Sequence, residues 1–197
     1  KDGLFHEGSP YKPNSPYSAT KAASDHLVRS WNQTYGLPSI ITNSSNNYGP
    51  WQLPEKLIPL IIVNAISNKP ITIYGDGKNV RDWIYVEDHI DALLKIAERG
   101  RIGDSYCIGA NQEKTNEEIV DEICHILDSK FKFNAPHKRL KAYIKDRLGH
   151  DKRYAINNSK IKQELKWSPK HNFSEALLFT VNWYLENIDW SKKYTKL

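Results

Sequence analysis

Tyr17 and Lys21 stand four residues apart in Pro16-Tyr17-Ser18-Ala19-Thr20-Lys21, and on a helix that spacing puts both side chains on one face. Such a pair can make a base. A free tyrosine ionises near pH 10, so bringing it to neutrality takes about 3 pH units, or roughly 4 kcal/mol. One ammonium about 5 Å from the phenolate contributes roughly 3 kcal/mol at an effective dielectric of about 20. The pattern is not specific. Tyr74 and Lys78 repeat it across Gly75-Asp76-Gly77, where no helix aligns them. An aromatic at a helix start and a solvated ammonium would look the same, so spacing alone leaves catalysis open.

The first helix is predicted from Asn14-Ser15-Pro16, with Ser15 as N-cap and Pro16 at the first helical position. It runs to about Tyr35 with Ala19, Ala22, Ala23, Leu27 and Trp31 at helical spacing, and Gly36 and Pro38 stop it. Ser39-Ile40-Ile41-Thr42 reads as a buried strand ending in the polar segment from Asn43 to Pro50. In open α/β sheets ligands sit outside the carboxyl ends of the strands, which is where Ser45, Asn46 and Asn47 fall; a solvated loop is the alternative. A helix follows Pro54 and reaches Asn68, with Pro59 near its start. Ile71 to Tyr74, the Gly75-Asp76-Gly77 turn and Val80 to Val86 read as a strand-turn-strand unit. Next come a helix over 87–99, a strand over 105–108 and a helix over 116–128 opened by a Thr115/Glu118 capping box. Residues 129–157 read as basic and irregular, followed by helices over 160–165 and 174–187. Alternating strands and helices predict an α/β fold.

With 197 residues, 39% hydrophobic and 26% charged, the chain can bury one good core. No apolar stretch approaches the roughly 20 residues of a membrane span, and the start at Lys1 is neither a signal peptide nor an initiator methionine. The chain is expected to begin within a longer protein. Cys107 and Cys124 both lie in apolar patterns, as small buried thiols do, which fits a reducing cytoplasm. Asn-x-Ser/Thr triplets at Asn32, Asn43, Asn157 and Asn172 are read as chance. Net charge is +5, but the basic residues are spread singly or in short pairs, so nucleic acid is not the expected partner. No glycine-rich G-x-G-x-x-G turn occurs, and a dinucleotide pyrophosphate therefore has no cradle in this sequence.

The run Pro16 to Asp25 resembles the active-site helix of the extended short-chain dehydrogenases that act on nucleotide sugars. Within that superfamily, Ser45-Asn46-Asn47-Tyr48-Gly49-Pro50, Pro54 to Pro59, Tyr74-Gly75-Asp76-Gly77, Val80-Arg81-Asp82-Trp83 and Asp146 to Ala155 are, in order, similar to the dTDP-glucose 4,6-dehydratase family. The resemblance implies an N-terminal Rossmann domain holding NAD and a smaller C-terminal domain for the sugar nucleotide. Residues 1–50, with later returning segments, would be the remaining edge of the first, and residues 51–197 would build the second, interleaved.

By that resemblance Tyr17 takes a proton from the sugar 4-hydroxyl while hydride passes to NAD, helped by the positive nicotinamide, and Lys21 lowers the Tyr17 pKa and bonds the nicotinamide ribose. Asn46 would touch substrate and Asn47 the cofactor. Lys56, Leu57, Thr72, Ile73, Tyr74, Arg81, Asn116, Asp146, Arg147, Leu148, Gly149 and His150 would hold dTDP-glucose, the cations bonding the diphosphate. A simple Arg81–Asp82 pair and an ordinary loop histidine at 150 are the alternatives. Leu148 departs from the family's usual proline. The family's Thr-Asp-Glu, which eliminates water, would precede Lys1, so this chain alone is expected to be inactive. A homodimer through the tyrosine helix is implied. An epimerase or decarboxylase of the same superfamily, or a non-catalytic binding module, are the rival readings.

Overall fold

The computed structural model describes residues 3–194; Lys1, Asp2 and residues 195–197 lie outside it. Helix α1 spans Pro16–Tyr35, capped by the Ser15 hydroxyl, which accepts the Ser18 N–H, and ended by Gly36 in the left-handed conformation at φ 68°. None of its residues is buried, and Leu27 and Trp31 stand 60% and 53% exposed. Strand β1 (Ile41–Ser44) runs parallel to β5 (Ser105–Ile108), Ile41 opposite Ser105 and Ser44 opposite Ile108. That register carries the strand past Thr42 through Asn43 and Ser44. After Ser45 the chain enters β2 (Asn46–Tyr48), so the polar segment, for which a solvated loop was the alternative, is largely strand.

Helix α2 (Leu57–Ile66) follows, with Pro59 in its first turn, where a missing N–H leaves nothing unpaired. Strands β3 (Ile71–Tyr74) and β4 (Val80–Tyr85) form where expected but do not pair with each other. Strand β3 instead runs parallel to β7 (Lys141–Ile144), a strand inside the segment read as irregular. The Gly75 N–H extends that pairing to Ile144 O at 2.9 Å, and Gly75 and Gly77 both take positive φ to turn the chain away. Strand β4 is buried along its last four residues and needs neighbours on both edges. One edge pairs antiparallel with β6 (Glu113–Thr115); the other pairs parallel with β8 (Arg153–Tyr154) and, further along, with β2. Two independently placed strands thus replace the expected hairpin-like unit.

Helix α3 (Val86–Arg99) lies between β4 and β5, and α4 (Asn116–Lys130) follows β6. The capping box at Thr115 and Glu118 forms in full. Short 3-10 turns at Lys132–Asn134 and His137–Leu140, then β7 and β8, fill the stretch expected to be irregular. Helices α5 (Ser159–Leu165), α6 (Phe173–Glu186) and the unforeseen α7 (Ile188–Tyr194) close the chain.

Two cores result. One gathers Ile84, Ile96, Tyr106, Ile108, Ile161 and Trp167 around β5, α3 and α5; the other gathers residues of α2, α4 and α6 against β3 and β4, with Tyr48, Ile73 and Tyr184 among them. The architecture is α/β, as expected, and its strand pairing is mostly parallel. Both cysteines are free and buried. Among the described residues no helix is long and apolar enough to cross a membrane. The four triplet asparagines are all engaged internally: Asn32 with Leu37 O, Asn43 with Asp25, Asn157 with the Ser159 N–H, and Asn172 as the cap of α6.

Candidate nucleotide-sugar site

Tyr74 ends β3, and Asp146, Arg147 and His150 follow its partner β7, so the parallel register delivers residues far apart in sequence to one place. The Arg147 guanidinium lies over the Tyr74 ring, 4.8 Å from its centroid, a cation–π arrangement. Arg147 Nη2 stands 3.2 Å from His150 Nε2, and His150 Nδ1 stands 2.7 Å from Asp146 Oδ1. The His150 ring holds the Asp146 carboxyl below its usual value. Gly75 leaves room for this loop: a Cβ there would meet Asp146 at 3.2 Å.

Arg81 joins the group from β4. Its guanidinium donates to Val80 O and to Asp151 O, both at 2.7 Å. Burial, with Arg147 nearby, lowers its pKa, while Asp151 and Asp146 oppose that shift. It does not pair with Asp82, whose carboxylate takes backbone N–H groups on the far side. Asn116 opens α4 and donates its N–H to Asn79 O at 3.2 Å, while the Glu117 N–H reaches Gly77 O at 3.0 Å, so the helix start abuts the glycine turn. Two guanidinium groups and a ring at one spot suit an anionic ligand with a planar group.

The second group lies on α1 and β2. Tyr17 is 73% exposed and Lys21 is also exposed. Asn47 Nδ2 donates to Ser45 O at 3.2 Å, which leaves its amide oxygen buried with no partner. A buried acceptor left unpaired costs stability and invites a donor. Gly149, at φ 70°, connects the two groups: a Cβ there would stand 3.3 Å from Asn14 O, just ahead of the α1 cap.

Other candidates are not gathered in. Lys56 pairs with Glu55 at 2.9 Å and, with Leu57, opens α2. Along β3, Thr72 and Tyr74 are half-buried while Ile73 alternates into the core, so the Ile73 side chain faces away. Leu148 is 96% exposed. Among the described residues no hydrogen bond or ion pair joins Tyr17 or Lys21 to the Arg81–Arg147 group. Two clefts, one of about 400 Å³ beside Leu4, Glu113 and Asn157 and one of about 550 Å³ beside His125 and Lys138, lie elsewhere. Sequence reasoning missed Asp151, Asn79 and Glu117. Asp151 lay inside a quoted motif, but its contribution is a backbone carbonyl, which side-chain chemistry does not signal.

Parallel strands flanked by helices, with the Y-x-x-x-K helix beside β1, are the fold of the extended short-chain dehydrogenases. The chain belongs to the family described as GDP-mannose 4,6 dehydratase, whose model matches residues 1–178. It is 52% identical to the dTDP-glucose 4,6-dehydratase of Xanthomonas campestris pv. campestris over 190 residues, 95% of this chain and 54% of that protein. The crystal structure of dTDP-glucose 4,6-dehydratase from Bacillus anthracis in complex with NAD superimposes with a TM-score of 0.91 at 47% identity, covering 99% of this chain and 60% of that one. The Streptomyces venezuelae dTDP-glucose 4,6-dehydratase, with NAD and a second ligand bound, gives 0.92 at 39% identity over 99% of this chain and 58% of that one. The chain spans about half the length of the curated relatives it matches.

Proposed function

We propose that this chain supplies the catalytic tyrosine and the sugar-nucleotide contacts of a dTDP-glucose 4,6-dehydratase, forming a 4-keto-6-deoxy sugar nucleotide. The observation that carries the reading is the meeting of Tyr74, Arg81, Asp146, Arg147 and His150 around one cationic spot whose loop abuts the start of the Tyr17 helix. Arg81 and Arg147 bond the diphosphate, Asn116 lies at its edge, Lys56 is assigned there by family resemblance alone, and Tyr74 offers a ring to the base. Leu57, Thr72, Leu148 and Gly149, and the backbone of Ile73, belong to this reading by family resemblance alone. The split into an edge of the Rossmann domain and an interleaved substrate domain is part of the same proposal.

At the reacting end, Lys21 stabilises the Tyr17 phenolate, which accepts the proton of the sugar 4-hydroxyl and becomes the neutral phenol, and Asn46 orients the sugar. The residues present fit NAD at its nicotinamide end: Asn47 offers a buried, unpartnered amide oxygen, and Lys21 an exposed ammonium. NAD, when bound, takes hydride from C4 and returns it to C6. No part in the loss of water is assigned to a residue of this chain. A homodimer through α1, whose Leu27, Trp31 and Tyr35 are exposed, and a cytoplasmic setting, consistent with two free cysteines, belong to this reading.

The test is product analysis with dTDP-glucose and NAD on the product of the complete coding region. Tyr17→Phe is expected to lower kcat by about 10²- to 10⁴-fold, the range for a lost proton-transfer group. A 4-epimer as product, or an undiminished rate in the variant, would overturn the assignment.

A further inference from the structure

Asp82 is fully buried, yet none of the roles above uses it. Alternation along β4 sends it to the face opposite Arg81. Its carboxylate accepts the Ala110 N–H at 3.2 Å and the Gln112 N–H at 2.8 Å, and the Trp83 N–H answers to Gln112 O at 3.1 Å. Gly109 makes the space, since a Cβ there would stand 2.6 Å from Asp82 Oδ2. The buried Ser45 hydroxyl lies beside the same carboxylate and favours its charge, although it falls short of a well-aligned hydrogen bond. Burial outweighs these donors, and the carboxyl sits above its usual pKa.

Bonding the Ala110 and Gln112 N–H groups is one reason to bury such a group. Its location suggests another. Ser45 is the step by which the chain leaves β1 for β2, and residues 109–112 are the step by which it leaves β5 for β6. Both crossings pass from the two-stranded sheet beside the Tyr17 helix to the sheet that carries Asn46, Asn47 and Arg81; the second is bonded to Asp82 through two backbone N–H groups, and the first passes Ser45 beside the same carboxylate, its N–H bonded to Ile108 O at 2.9 Å.

We propose that Asp82 is a positioning residue: by tying the two crossings together it sets where Asn46, Asn47 and Arg81 stand relative to the Tyr17 helix. It acts through those residues and touches no reacting atom. The proposal rests on reading them as ligand contacts.

The test compares the 197-residue chain with Asp82→Asn, which keeps the shape but replaces one acceptor oxygen with a donor. The readouts are dTDP affinity, the side-chain amide NMR signals of Asn46 and Asn47 without ligand, and the thermal midpoint. In Asp82→Asn the dTDP Kd is expected to rise about tenfold, as the loss of one charge-assisted contact would produce. The two amide signals are expected to move while the midpoint changes by a few degrees at most. Ser45→Ala, a gentler change, is expected to move the same signals in the same direction. Unmoved amide signals in Asp82→Asn, or an unchanged Kd where the wild type binds, overturn the proposal. So does a variant that fails to fold, which would mark Asp82 as merely structural. If the wild-type chain does not bind dTDP, the nucleotide-sugar reading fails instead, and the ligand-free amide signals still decide the role of Asp82.

Discussion

Arg147 carries most of the chemistry of its loop: it stacks on Tyr74 and leans on His150, and its charge is felt at Arg81. A flat guanidinium does this where an ammonium does not, because it stacks on a ring and can bond an anion with two N–H groups at once. Arg147→Lys is therefore expected to weaken dTDP binding about tenfold, roughly one charge-assisted bond. Calorimetric titration measures this, and a lysine variant that binds as tightly as wild type would remove Arg147 from the site. Arg81, Arg147 and His150 were legible through the motifs that resemble the family, since charge alone does not set them apart from the other basic residues. Their partners were not. Arg81 turns to the Asp151 carbonyl rather than to its neighbour Asp82, and backbone acceptors leave no trace in a sequence.

Helix α4 shows how local rules read well. Thr115 Oγ1 accepts the Glu118 N–H at 3.1 Å, and Glu118 Oε2 accepts the Thr115 N–H at 2.7 Å. These Thr115 donors hold the Glu118 carboxyl below its usual value. Thr115→Ala is expected to cost about 1 kcal/mol in urea unfolding at neutral pH. A depressed carboxylate stabilises fully above its unfolded pKa of about 4.3 and loses that contribution as pH falls through the folded value. The gap between wild type and Thr115→Ala is thus expected to narrow below about pH 4, and a constant gap would contradict the reciprocal cap. Helix limits were legible because caps and stops are local: Ser15, Gly36 and Thr115 each act within one turn. Strand partners were not, because pairing is a long-range choice. Nothing near Ile71 indicates that its neighbour is Lys141 rather than the strand after the glycine turn. Lys141–Ile144 itself passed as irregular because four residues with two exposed give no clear alternation.

Across the whole molecule, apolar surface is unevenly covered. Leu27, Val28, Trp31 and Tyr35 on α1 and Ile90 and Leu94 on α3 are all exposed, more than isolated surface apolars explain. Sedimentation of the chain at rising concentration is expected to show association, and Leu27→Glu with Trp31→Glu to suppress it; a chain that stays monomeric throughout would argue against α1 as an interface. Helical spacing announced the apolar residues on α1 but not what would cover them, because spacing records that a face is apolar and not which surface meets it. One small contact has a larger consequence. At Gly149 a Cβ would stand 3.3 Å from the carbonyl of Asn14, one residue ahead of the α1 cap, so a side chain there would press on the start of the tyrosine helix. A ligand that moved this loop against the helix start would be coupled to it reciprocally: whatever settled the helix start would tighten the ligand by the same factor. A substitution at Gly149 is then expected to disturb both ends together, the affinity of the loop and the start of the helix.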